Sequence, residues 1–199
     1  MKSIKNNLLF LLLFTFFQTG FSQNPDKKTI VMYGNSITFQ GKWEEVLGRT
    51  DVANRGIPGY TTGQLIWTIK NGLKDHPDSK IWFLEGGIND ISLGVPVERI
   101  FENYKMTVDS LRRNLIIPVV QSTILKNNAK ADNKKVNALN KLVRKYCLRK
   151  GIDYIDLNKL FSLNGELKKE NTIDGCHLVQ SAYIHWATEI KKVLSKYKI

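Results

Sequence analysis

The chain has 199 residues, 42% of them hydrophobic and 24% charged, with 30 lysines and arginines against 18 acids and a formal net charge of +12. That composition excludes an intrinsically disordered or collagen-like chain, and two cysteines exclude a disulfide-dense scaffold. A basic balance fits polyanionic neighbours, but the lysines are scattered, and the densest runs, Lys126–Lys135 and Lys191–Lys198, read as solvated loop and helix faces.

The first element is not part of a fold. Lys2 and Lys5 precede an apolar run from Leu8 to Phe17 broken only by Thr15, and Gly20 and Ser22 put small residues at the −3 and −1 positions of a cut before Gln23. This is the pattern of a secretory signal peptide over residues 1–22; the apolar run is about half of the roughly 20 residues a spanning helix needs. Removing that piece, with its two lysines and no acid, leaves 177 residues at +10, which suits one domain over 23–199 with a sizeable core. The expected location is periplasmic or secreted, with no stable membrane insertion after cleavage.

Beyond Gln23 strand-like and helix-like segments alternate. Lys28–Gly34 reads as a buried strand, Gly41–Gly48 as a short helix and Asp51–Gly56 as a second, short strand. Thr61–His76 is helical, with Leu65, Ile69 and Leu73 at helical spacing and Thr61 or Thr62 as cap. Lys80–Gly87 is a strong strand. Pro96–Asn114 is a helix with Pro96 in its first turn and a stripe of Val97, Ile100, Phe101, Tyr104, Val108 and Leu111. Ile116–Thr123 is the fourth strand, Val136 to Cys147 stripe a helix that ends near Gly151, Ile152–Leu157 is the fifth strand, and Tyr183 to Tyr197 stripe a terminal helix. Near-continuous apolar strands alternating with helices mean an α/β fold, a parallel sheet covered on both faces.

In such sheets ligands bind beyond the carboxyl ends of the strands. Ser36 follows strand one, Gly56–Thr62 follows strand two, Gly86–Asp90 follows strand three, and Asp174–His177 lies in the long connection after strand five. All four polar segments gather on one rim. A serine nucleophile needs a base and a group to orient it. His76 falls before strand three, on the other rim, and His185 falls inside the last helix, which leaves His177 with Asp174 three residues earlier. Asn89, at a strand end after two glycines, and Gly59, through an unobstructed backbone N–H, can serve a developing oxyanion; each also suits a plain turn. The Ser36 amide is a third donor. No histidine has metal-ligand spacing with either cysteine, so no metal is expected, and both thiols are expected free and largely buried.

These segments resemble, block by block and in order, the SGNH hydrolases, also called GDSL-type esterases and lipases. "GNSIT" (Gly34–Thr38) is similar to the nucleophile block, "NRGIPGYTT" (Asn54–Thr62) to the glycine block, "GGIND" (Gly86–Asp90) to the asparagine block and "DGCHL" (Asp174–Leu178) to the Asp-x-x-His block. The resemblance implies Ser36 as nucleophile, His177 as general base, Asp174 as its orienting acid, and the Ser36 amide, Gly59 and Asn89 as the oxyanion hole. It implies a flavodoxin-like three-layer α/β/α sandwich whose five-stranded parallel sheet has the order 2-1-3-4-5. One departure is Asn35, where the family usually has Asp; with the triad's acid at Asp174, activity is expected to survive. The implied function is a serine esterase that needs no cofactor, acting on short acyl esters, acetyl first, of a small molecule or a glycan. Phe39, Trp43, Tyr60 and Trp67 are candidate walls of the substrate pocket. A lysophospholipase or short-chain lipid acylhydrolase, or a non-catalytic glycan-binding relative, would share the fold. A nucleic-acid partner is not expected, because no aromatic-and-basic strand face offers base stacking.

Overall fold

Five short apolar runs pair side by side to make the frame. The structure, a computed structural model, describes residues 27–199, so the expected signal peptide lies outside the described residues. Strands β1 (Ile30–Gly34), β2 (Val52–Gly56), β3 (Ile81–Leu84), β4 (Ile117–Gln121) and β5 (Asp153–Ile155) form one parallel sheet in the order 2-1-3-4-5. β1 and β3 are fully buried along their length, as strands covered on both faces must be. The register runs Tyr33 beside Leu84 and Leu84 beside Val120, so the strand ends align along one rim.

Helices α3 (Thr62–Asp75), α5 (Val97–Arg113) and α6 (Lys130–Lys150) pack against one another on one face, while α2 (Trp43–Leu47) and α8 (Gln180–Tyr197) pack together on the other. Right-handed crossovers between parallel strands dictate this split: the chain steps left once, from β1 to β2, then rightwards through β3, β4 and β5. α3 begins with a capping box in which Thr61 and Gln64 exchange hydrogen bonds. α6 ends on Gly151 in the left-handed conformation. The three-layer sandwich and its strand order are those the sequence led us to expect.

Several elements are shorter than any sequence period and were not anticipated. They are the one-turn helices α1 (Ser36–Phe39), α4 (Ile88–Ser92) and α7 (Asn158–Phe161), and a small antiparallel hairpin, β6 (Ser162–Leu163) with β7 (Glu166–Leu167), in the connection after β5. Lys126–Lys135 is only partly the solvated run expected. Asn133, 3% exposed, clamps the backbone of Lys126 through both ends of its amide and also reaches the Gly165 carbonyl. Cys147 is buried, Cys176 is half-buried against the core, and both thiols are free.

Candidate active site

The site is assembled from three strand-end turns and one distant loop. β1 stops at Gly34, and Asn35 turns the chain into α1 by accepting from the Ile37 N–H at 2.8 Å, an N-cap. Ser36 is therefore the first residue of a one-turn helix, half-buried, and its own N–H has no partner within that helix.

His177 arrives from 141 residues away. Its Nε2 lies 2.9 Å from the Ser36 Oγ, and its Nδ1 lies 2.6 Å from the Asp174 Oδ2. An ionised Asp174 accepts a hydrogen bond from the Nδ1–H, which leaves Nε2 as the acceptor facing the serine. Burial works to raise the Asp174 pKa, but the His177 ring and the backbone N–H groups of His177 and Cys176, at 2.7 and 2.9 Å from Oδ1, outweigh it and hold the carboxyl down to about 2. The loop is closed on itself: Thr172 pairs with Leu178, and the His177 carbonyl accepts from the Thr172 hydroxyl at 2.7 Å and from the Ile173 N–H at 3.1 Å. The Asn127 N–H fastens it from outside by donating to the Gly175 carbonyl at 2.8 Å. The His177 backbone is thus fixed before its ring does anything.

The other side is the glycine turn. The Tyr60 N–H donates to the Ile57 carbonyl at 3.3 Å, and Gly59 holds φ +78° between them. Pro58 followed by a residue of positive φ is a type II turn, which wants glycine at that place. A Cβ on Gly59 would meet nothing within 4 Å, so it is the positive φ, and not crowding, that calls for glycine here. Asn89, in α4, donates from Nδ2 to the Tyr60 carbonyl at 3.0 Å, which ties the third strand end to the glycine turn. A side-chain amide carries two N–H donors, so one anchors and one stays available.

A family model for GDSL-like lipase/acylhydrolase proteins matches residues 32–183. The chain belongs to that family. N-acylneuraminate cytidylyltransferases of Streptococcus agalactiae are 25% identical to it over an alignment of 172 residues that covers 84% of this chain. The chain spans 39% of the length of these curated relatives. Among solved structures, a GDSL-like lipase from Bacteroides thetaiotaomicron VPI-5482 superposes with a TM-score of 0.77 at 19% identity, covering 87% of this chain and 89% of that one. An acetyl xylan esterase superposes at 0.72 with 18% identity, covering 83% and 98%. At those identities the two structures carry the shared fold.

Within this GDSL-family sheet, Ser36, His177 and Asp174 form one hydrogen-bonded chain, and Asn89 meets the Gly59–Tyr60 turn. His76 caps the far end of α3, before β3, and His185 is exposed on α8. Of the four aromatics expected to wall a pocket, Trp43 does not. It is 2% exposed, gives its Nε1 proton to the Thr38 carbonyl and packs edge-on against Tyr183 and Trp186. Trp67 stands 85% exposed on α3, on the side away from the buried Leu65 and Ile69, and walls nothing. Phe39, 55% exposed, and the half-buried Tyr60 stay at the rim, one turn after Ser36 and next to Gly59. The sequence reading gave Asp90 no role, yet Asp90, 1% exposed, accepts from both the N–H and the hydroxyl of Thr62 at 2.8 and 2.7 Å. An acid directly after Asn89 and a Thr pair after Gly59 were the available signal.

Proposed function

We propose that this hydrolase is a serine esterase in which Ser36 is the nucleophile, His177 the general base and Asp174 its orienting acid. The reading rests on one observation: an unbroken hydrogen-bond chain, 2.9 Å then 2.6 Å, from a serine at a strand end to an imidazole and a carboxylate 141 and 138 residues further along. Ser36 Oγ attacks an ester carbonyl carbon while its proton passes to His177 Nε2. The carbonyl oxygen takes the electron pair and is held by the N–H groups of Ser36 and Gly59 and the free N–H of Asn89. The C–O bond then breaks, His177 gives its proton to the leaving alcohol, and a serine ester remains. Water, deprotonated by the same imidazole, releases the acid and restores Ser36.

The acyl group is short, acetyl first, and the alcohol is a sugar. The acetyl xylan esterase that shares the fold supports this, as does the acylated sugar acid in the name of the Streptococcus agalactiae relatives. Phe39 and Tyr60 are the aromatics that stand at the rim of the site. The sequence pattern of residues 1–22 adds export from the cytoplasm. A fluorophosphonate probe tests the mechanism: wild-type protein takes the label and Ser36→Ala does not. A wild-type protein that takes no label overturns the reading. Acetate release from a panel of acetylated glycans, measured beside acyl chains of increasing length on lysophospholipid, then tests the substrate class.

A further inference from the structure

Beneath the nucleophile turn lies a set of buried polar groups that the mechanism does not use. The Glu85 N–H donates to the Tyr33 carbonyl at 3.0 Å, so the ladder continues one residue past the end of β3 and sets Gly34, Glu85 and Gln121 abreast. Glu85 and Gln121 therefore point to the same face of the sheet, the face covered by α8, whose Trp186 donates to Gln121 Oε1. Contact between the strand ends is close: a Cβ on Gly34 would overlap Thr38 Oγ1 and the Glu85 carbonyl. Glu85 is 2% exposed, and Asn35 and Gln121 are not exposed at all.

The amide orientations are fixed by their oxygens. Asn35 Oδ1 is taken by the Ile37 N–H and Gln121 Oε1 by Trp186. Both amides therefore turn a donor inward, and among the described residues Asn35 Nδ2, Gln121 Nε2 and Glu85 Oε1 are the buried side-chain atoms without a partner. Two orphan donors and one orphan acceptor share a small region, and the other Glu85 oxygen already meets Thr38 Oγ1 at 3.4 Å. Leaving such groups unpaired is costly, so a shared arrangement is strongly favoured.

We propose that Glu85 is a positioning residue for Ser36: its carboxyl accepts from Asn35 Nδ2 through one ordered water, and so ties the nucleophile turn to the strand end that leads to Asn89. The bond sets the spacing between nucleophile and oxyanion donor from below, where no substrate reaches. Thr38 and Gln121 complete the set. The ionisable groups that face Glu85 are Tyr104 from α5, Tyr183 from α8 and Cys176 from the His177 loop, with Asp90 of α4 beyond Tyr104. Burial pushes both phenols and the thiol upward, so Glu85 ionises before them.

The inference rests on the esterase reading for what Ser36 does, and the experiment separates the two. Nitrogen-resolved NMR of wild-type protein follows the Asn35 side-chain amide from pH 5 to 9. The Asn35 Nδ2 signals should shift with the Glu85 titration and stay flat in Glu85→Gln. Flat signals in the wild type while Glu85 titrates overturn the contact, whatever the enzyme's activity. Fluorophosphonate labelling then reads the positioning. Glu85→Leu should label about tenfold more slowly, Glu85→Gln within about threefold of wild type, and Asn35→Ala combined with Glu85→Leu little more slowly than the worse single variant. Losses that multiply in the double variant, or wild-type labelling of a folded Glu85→Leu, overturn it. Absence of labelling in the wild type counts against the esterase reading alone.

Discussion

Asn89 spends one N–H on the Tyr60 carbonyl and keeps one. If the second meets the oxyanion, Asn89→Ala should lower kcat by roughly 10²–10³, measured on an aryl acetate; turnover within a few-fold of wild type would leave Asn89 a plain anchor of the glycine turn. Ser36→Ala and His177→Ala should each remove nearly all turnover, and the double variant should be little worse, because groups that act as a unit do not contribute additively. Multiplying losses would argue that the two residues work separately. Glu85 gives a third test. Burial, opposed by the Thr38 hydroxyl, pushes its pKa from 4.5 to about 8. Below pH 4.5 the carboxyl is protonated in the folded and unfolded chain alike, so its ionisation costs nothing. Between there and about pH 8 the unfolded chain releases the proton and the folded chain keeps it, so stability falls as pH rises through this window. Tm measured from pH 5 to 8.5 should therefore decline in the wild type and decline less in Glu85→Gln. An unchanged decline would mean that other groups cause it. Asp174 has the opposite sign: with its carboxyl held down to about 2, its contribution is present above the ordinary carboxylate range and fades only as the pH drops toward that value.

The strand-end turns are held by struts rather than by their own length. α4 and α1 are single turns, too short to persist alone, and each is fastened by a buried polar side chain. Asp90 fastens α4 by accepting two hydrogen bonds from Thr62 at the start of α3. Asp90→Ala leaves the Thr62 N–H buried without an acceptor and should cost about 1–3 kcal/mol, read as a fall in the urea midpoint. A midpoint unchanged by Asp90→Ala would show that the strut carries no weight. These same small pieces mark the limit of what could be read from sequence. β1, β3, α5 and α8 announce themselves because apolar residues recur over several periods. α1, α4, α7 and the β6–β7 hairpin span two to five residues, less than a period or two, and are set by contacts from distant segments. The candidate site residues were legible because serine, glycine and asparagine stand where apolar runs stop, and because Asp174 and His177 stand three residues apart in one glycine-containing loop. Trp43 was misread for the converse reason: a large aromatic near a motif looks alike in sequence whether it faces a ligand or, as here, Tyr183 and Trp186.

At the level of the whole molecule, α8 and α2 close the sheet face beneath the Ser36 turn. Tyr183 and Trp186 are stacked with centroids 5.7 Å apart and fully buried, and the Tyr183 hydroxyl donates to the Ile37 carbonyl at 2.6 Å. The last helix thus grips the first turn. Trp186→Ala should cost about 3–5 kcal/mol, and the urea midpoint should fall with the near-ultraviolet signal and the label uptake in step. Label uptake that survives the loss of tertiary signal would mean that the site stands without this face. The strand order also had a sequence basis only through the family likeness, since alternation fixes a parallel sheet but not which strand lies at its centre.

The 141-residue gap between Ser36 and His177 has a consequence for biosynthesis. Contacts between remote parts of a chain form late, because the intervening loop must first be closed. A polypeptide still leaving the ribosome holds Ser36 without the His177 imidazole of the proposed triad until residue 177 and the helix behind it emerge. Under the proposed mechanism the enzyme is therefore born silent, and its first turnover waits until residue 177 can reach Ser36.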